Sequence, residues 1–174
     1  ISKLTPRLKT TALTLYIIYF GITLLQCVLL LIGRMPLFDA ITLSLSTAGT
    51  GGFAIKNSSI ADYSVFNQII IGVFMFLFGV NFNIYYLLLF RKFKLALKSE
   101  ELRAYILIVI SSIVLIALNI GGPAKFFSSL HDAAFQVSSI ITTTGFSTVD
   151  FNSWPTFSKS ILVVIMFIGA CAGS

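Results

Sequence analysis

Two short stretches, Gly49-Thr50-Gly51-Gly52-Phe53 and Thr142-Thr143-Thr144-Gly145-Phe146, have the residue types and spacing to do chemistry. The chemistry is coordination rather than bond-making. A cation stripped of its water needs replacement oxygens, and a strand whose backbone carbonyls turn to one side supplies them. Glycine permits the torsions that such a strand demands. Threonine can add a hydroxyl oxygen at the inner end, and the phenylalanine that follows can wedge the strand against surrounding helices. Ion coordination would fall on Thr50, Gly51, Gly52 and Phe53 in the first stretch and on Thr143, Thr144, Gly145 and Phe146 in the second. Either stretch alone also fits an ordinary Gly/Thr turn. Two in register, each after an amphipathic run of about ten residues, argue against that.

The register is an offset of 93 positions, which places Asp39-Ala40 over Asp132-Ala133, Ser46 over Ser139, Thr50 over Thr143 and Gly52-Phe53 over Gly145-Phe146. Beyond the strands a small deletion brings Phe66 and Met75-Phe76 over Phe157 and Met166-Phe167 at offset 91. A direct repeat of this kind enters the membrane from the same side twice.

The surrounding elements are apolar. Of the 174 residues, 57% are hydrophobic and 10% charged, and the mean hydropathy is +0.98. That is too little charge to cover a water-soluble surface. Residues 12–32 and 104–120 read as membrane spans, 65–90 as a third, and a fourth begins near Phe157. Residues 38–47 and 131–141 read as short pore helices that do not cross, with Asp39 and Asp132 expected as their N-caps and their C-terminal partial charges aimed at the ion path. The expected fold is an all-α membrane protein made of tandem span–pore-loop–span repeats, 1–98 and 99–174, with filters at 49–53 and 142–146. Lys3, Arg7 and Lys9 precede the first span, and Arg91, Lys92, Lys94, Lys98 and Arg103 follow the second; these are eight of the twelve basic residues. The positive-inside rule makes their side, including the basic loop 91–103, cytoplasmic. The net charge of +6 forms no basic stripe, so nucleic acid is not an expected partner.

Other residues leave alternatives open. Gln26, Asn81, Asn83 and Asn119 either line a water-filled vestibule or hydrogen-bond between helices. Lys56 is an odd positive charge close after a cation-binding strand; it points away or pairs with Asp62. His131 reads as an exposed helix-start residue, and Trp154 and the tyrosines at span ends as interface anchors. Cys27 and Cys171 read as packing residues. The small residues Gly169-Ala170-Cys171-Ala172-Gly173-Ser174 can break an apolar helix or let helices pack closely.

STAGTGGF in one repeat, TTTGF in the next and IMFIGACAGS at the end resemble the TrkH/KtrB/HKT superfamily of potassium-uptake proteins, most of all bacterial TrkH and KtrB. The resemblance covers nearly the whole chain. It implies four span–pore–span repeats around one pore, of which this sequence would be the second and most of the third. It implies a degenerate potassium-channel filter with one constant glycine per repeat, here Gly52 and Gly145. It implies a gate loop whose onset would be Gly169, Gly173 and Ser174. It also implies a bound potassium ion (or sodium), a homodimer, a cytosolic nucleotide-binding regulatory subunit, and a place in the bacterial inner membrane.

The function expected is channel-like potassium uptake through a carbonyl-lined filter. The alternative is a cation-coupled secondary transporter, which often carries ionisable residues within its spans, and residues 12–32, 65–90 and 104–120 have none. An intramembrane enzyme would need a nucleophile and base or a metal cluster at membrane depth, and the single His131 has no such set beside it in sequence.

Overall fold

The computed structural model describes residues 4–89, 91, 93–122 and 125–169. These form α1 (Leu4–Ile32), α2 (Leu37–Ala48), α3 (Val65–Phe78), α4 (Phe82–Leu89), α5 (Phe93–Leu97), α6 (Glu100–Gly121), α7 (Phe126–Ile141) and α8 (Thr156–Ile168). A single 3-10 turn, Phe151–Ser153, lies between α7 and α8. Two helical stretches, Ala12–Ile32 and Glu100–Gly121, are long and apolar enough to cross a membrane. Much of the stretch Ala12–Ile32 faces outward with residues such as Tyr16, Ile17 and Phe20 exposed, as expected where lipid is the solvent.

The chain repeats one unit. α1 packs on α2 and α6 on α7. Each short helix ends in a non-helical strand, which is followed by a helix of only 14 (α3) or 13 (α8) residues. α2 and α7, at 12 and 16 residues, are separate from the long helices. At 1.5 Å per residue each falls short of a hydrocarbon core of about 30 Å.

Three sequence expectations about the helices are corrected. The stretch 65–90 is not one span: α3 stops at Phe78 and the chain restarts at Phe82. The break sits at Gly79, where a Cβ would lie 2.4 Å from the Tyr105 hydroxyl and 2.5 Å from Thr142 Cγ2. Tyrosines add donors to the carbonyls of the last turn of α3: Tyr105 donates to Phe76 O at 3.1 Å, and Tyr85 to Leu77 O at 2.6 Å beside Val80 N at 3.0 Å. Asp132 is not an N-cap, because Phe126–Leu130 extend α7 backwards and leave it in the seventh position; Lys125 stands at the cap. Asp39 is not an N-cap either. Pro36 occupies that position and puts Asp39 inside the first turn of α2. Its carboxylate still faces the positive helix end and accepts the Tyr63 hydroxyl at 2.8 Å.

The two repeats interlock. Phe135 and Phe146 of the second are buried in the core of the first, among Leu43, Ile71, Met75 and Phe78. A second core gathers Val109, Ile116, Val137 and Leu162. Trp154 is buried in that core and is not an interface anchor. His131 lies within α7, half-buried, with Nδ1 3.2 Å from Asp132 Oδ1. Gln26, Asn81 and Asn119 all tie elements together: Gln26 donates to Thr47 Oγ1, Asn81 to both Glu101 oxygens, and Asn119 Oδ1 accepts from Ser158. The side chain of Asn83 lies outside the described residues. Cys27 is a half-buried free thiol packed against the first core, whereas Cys171 lies outside the described residues.

The loop after the first strand is organised by one side chain. Buried Gln68 Nε2 shares its two protons among the carbonyls of Ile60, Ala61 and Tyr63, at 3.3, 3.1 and 3.1 Å. A Gln68→Leu variant leaves those acceptors without their donor, at about 1–3 kcal/mol. Limited proteolysis should then cut within residues 54–63 roughly tenfold faster than in wild type. Unchanged cleavage would mean that Gln68 does not hold the loop.

Candidate ion-coordinating filter

The pore helices and the strands that follow them form one hydrogen-bonded device, built twice. At the end of α2, Thr50 N donates to Thr47 O at 3.1 Å and Gly51 N to Ser46 O at 2.8 Å. At the end of α7, Thr143 N donates to Ile140 O at 3.1 Å and Thr144 N to Ser139 O at 2.9 Å. Gly145 N also reaches Ser139 O, at 3.3 Å, and Phe53 N donates to Ser46 Oγ at 2.9 Å. Helix C-termini have spare carbonyls, and here the strands use them.

The consequence for the oxygens is geometric. In a planar trans peptide the N–H and the preceding carbonyl point in opposite directions, and the described chain has no cis bonds. Each N–H turned back to a pore helix therefore turns a carbonyl away from it. By that rule the carbonyls of Gly49, Thr50 and Gly52 face off α2, and those of Thr142, Thr143 and Thr144 face off α7. The backbone torsions agree. φ is positive at Thr50 (47°) and Gly52 (65°), and at their counterparts Thr143 (57°) and Gly145 (88°), but not at Gly51 or Thr144. A left-handed residue is uncommon for threonine and costs about 1–2 kcal/mol, so the hydrogen bonds are holding strained backbone in the same pattern in both repeats.

The strands meet. A Cβ on Gly52 would lie 2.0 Å from the Thr144 carbonyl oxygen and 3.5 Å from Gly145 Cα. The residues aligned at offset 93 are thus neighbours in space, and Gly52 is a glycine because the other strand's carbonyl occupies the place of its side chain. Beyond the strands, Ile60 N donates to Ser147 O at 3.0 Å and Ser147 N to Ser59 Oγ at 3.1 Å, which locks one outer loop to the other.

The remaining candidate residues separate. Phe146 is fully buried, and its carbonyl accepts from Ser139 Oγ at 2.6 Å. That oxygen is turned to the helix and away from the direction of the other carbonyls. Phe53 is 78% exposed and not wedged into the described core; its ring folds over Gly51, with Cδ2 2.9 Å from where a Cβ would be. The inner threonine hydroxyls serve each other: Thr142 Oγ1 donates to Ser138 O at 2.7 Å and lies 2.8 Å from Thr144 Oγ1. Lys56 does not pair with Asp62, which accepts from Ser58. Its Nζ sits 4.4 Å from the centroid of the Tyr63 ring, a cation–π contact. Burial, then the hydrogen bond to Asp39 and the charges of Asp39 and Asp62, push the Tyr63 hydroxyl up to about 12, so it stays a donor. Gly169 ends α8 below this device, and a Cβ there would lie 2.2 Å from Ile141 O. Gly173 and Ser174 lie outside the described residues.

The TrkH family of cation transport proteins matches residues 2–174. This chain belongs to that family. It is 38% identical, over 99% of its length, to the Trk system potassium uptake protein TrkH of Salmonella typhimurium, and 35% identical to TrkG of Escherichia coli. The crystal structure of the potassium transporter TrkH from Vibrio parahaemolyticus superposes on the whole chain with a TM-score of 0.85 at 32% identity. The chain spans 37%, 36% and 39% of the length of these three proteins. A TrkH-family chain is a membrane protein of the transporter class, which agrees with the apolar outer faces of α1 and α6.

The two glycines of this TrkH-family chain differ in what they exclude. A methyl on Gly52 meets both an unfavourable φ and the Thr144 carbonyl, whereas a methyl on Gly145 meets nothing within 4 Å and suffers from φ alone. Gly145→Ala should cost about 1–2 kcal/mol and Gly52→Ala more, because backbone must shift. Thermal unfolding in detergent should rank wild type above Gly145→Ala and Gly145→Ala above Gly52→Ala. The reverse order would show that the strands do not meet as described.

Proposed function

We propose that this chain carries the second repeat (1–98) and most of the third (99–174) of a four-repeat potassium-uptake protein, and that its two strands are two sides of the selectivity filter. The observation that carries the reading is the matched pair of strands with N–H groups absorbed by pore helices and carbonyls turned away from them. Potassium would bind to the carbonyl oxygens of Thr50, Gly52, Thr143 and Thr144, with Gly51 and Gly145 between and beside them. The C-terminal ends of α2 and α7 add negative potential on the side where the ion dwells. No bond is made or broken: the ion exchanges water oxygens for carbonyl oxygens and moves down its electrochemical gradient. Two repeats supply half of a fourfold ring, and the remaining oxygens come from the other two. In this reading Lys56, held on the Tyr63 ring beside the start of α2, leaves the cation entrance clear. The basic loop 91–103 faces the cytoplasm, the side from which bilayers retain Lys and Arg.

The experiment is potassium uptake by cells lacking other uptake systems, with sodium as competitor, using the whole transport protein. Gly145→Ser should still reach the membrane, because open space surrounds its Cβ position and only the φ penalty of about 1–2 kcal/mol applies, and, per protein in the membrane, should lose roughly tenfold or more of its preference for potassium as the strand torsions relax. Wild-type discrimination in a well-expressed Gly145→Ser protein would remove the filter assignment.

A further inference from the structure

We propose that Ser46 and Ser139 are the positioning residues of the filter, and that the Ser139 hydroxyl sets ion discrimination by holding the Phe146 carbonyl out of the ion path; this rests on the filter reading above. Both serines stand third from the end of their pore helix and align at offset 93. Each grips its strand through both its carbonyl and its hydroxyl, and the Ser139 carbonyl also takes Gly145 N. The Ser46 carbonyl takes Gly51 N and its hydroxyl takes Phe53 N; the Ser139 carbonyl takes Thr144 N and its hydroxyl donates to Phe146 O. The carbonyl contact would survive any replacement. The hydroxyl contact needs a short side chain that can both accept and donate, which serine provides.

The second contact is of opposite sense in the two repeats and falls one peptide unit further along in the second, Phe146–Ser147 against Gly52–Phe53, and this makes the filter's outer end unequal. In the first repeat the hydroxyl accepts an N–H, so the Gly52 carbonyl faces away from α2. In the second it donates to a carbonyl, so the Phe146 oxygen is withdrawn. Because the peptide is planar, the Ser147 N–H of that same unit points the other way, to Ser59 Oγ of the first repeat at 3.1 Å. One peptide plane thus links the α7 hydroxyl, the filter's outer end and the neighbouring repeat's loop. Burial sets which grip matters more. Ser139 and Phe146 are both fully buried, so the Phe146 carbonyl has no water to turn to. Phe53 is exposed, and water can replace Ser46 Oγ on its N–H.

The test is sodium competition against potassium uptake in the whole transport protein, normalised to the amount in the membrane. Ser139→Ala should lower potassium-over-sodium discrimination roughly five- to tenfold, the size expected for one buried hydrogen bond. Ser139→Cys, with a weak donor of similar size, should lose about two- to threefold, and Ser46→Ala less than about twofold. A serine that only stabilised the fold would lower membrane abundance and leave the ratio unchanged. If Ser139→Ala does not reach the membrane, Ser139→Cys is read alone, and a wild-type ratio overturns the inference. A wild-type ratio in Ser139→Ala beside a lost ratio in Gly145→Ser overturns this inference and leaves the filter reading standing. Wild-type ratios in both variants remove the filter reading as well.

Discussion

A strand that offers its carbonyls to an ion must dispose of its N–H groups elsewhere. At membrane depth there is no bulk water to take them, and each one left alone costs several kcal/mol. The pore helices meet this constraint. Their last turns have carbonyls without helical partners, and Ser46, Thr47, Ser139 and Ile140 accept the strand N–H groups there. Two deficits cancel, and the cancellation sets the direction of the Gly49, Thr50, Thr142, Thr143 and Thr144 carbonyls. The short helices α2 and α7 thus fix the course of the strands that follow them and are not merely connections.

The same constraint shapes the packing around the filters. Helices that stop short expose the carbonyls of their last turn, and at the end of α3 tyrosine hydroxyls from α4 and α6 donate to two of them. Close approach has to be allowed where strands or helix ends meet, and glycine stands at those places: Gly52 against Thr144, Gly79 against Thr142, Gly169 against Ile141. The repeats are held together by Phe135 and Phe146 inserted in the first core and by the paired contacts of Ser147 with Ser59 and Ile60. A displaced loop in one repeat would therefore be felt at the other repeat's strand.

Much of the architecture was readable from the residues, because its signals are local or periodic. Uncharged runs as long as a bilayer mark α1 and α6, and the offset of 93 pairs residues that prove to share torsions and hydrogen-bond partners. The helix starts were less readable. Asp39 and Asp132 are ordinary capping residues by type, but Pro36 and the run Phe126–Leu130 move the starts upstream. The break at Gly79 was hidden because an uninterrupted apolar run is also what a continuous span looks like. Trp154 was misread, and the choice left open for Lys56 could not be made, for a related reason: their partners, a buried core and the Tyr63 ring, lie in other elements. The serines that grip the strands left no signal beyond their alignment with each other.

The sequence by itself determined the solvent of this protein, the family it resembles and the repetition at offset 93 that marks the strand residues, since these depend on composition, run length and repetition along the chain. Only the tertiary structure decided which carbonyls are free and which is withdrawn, that Gly52 and Thr144 are neighbours, and that α3 stops half-way. The reason is that a carbonyl's direction is set by what its neighbouring N–H finds to bond, and in this fold that partner is the end of a helix, a serine hydroxyl or the other repeat.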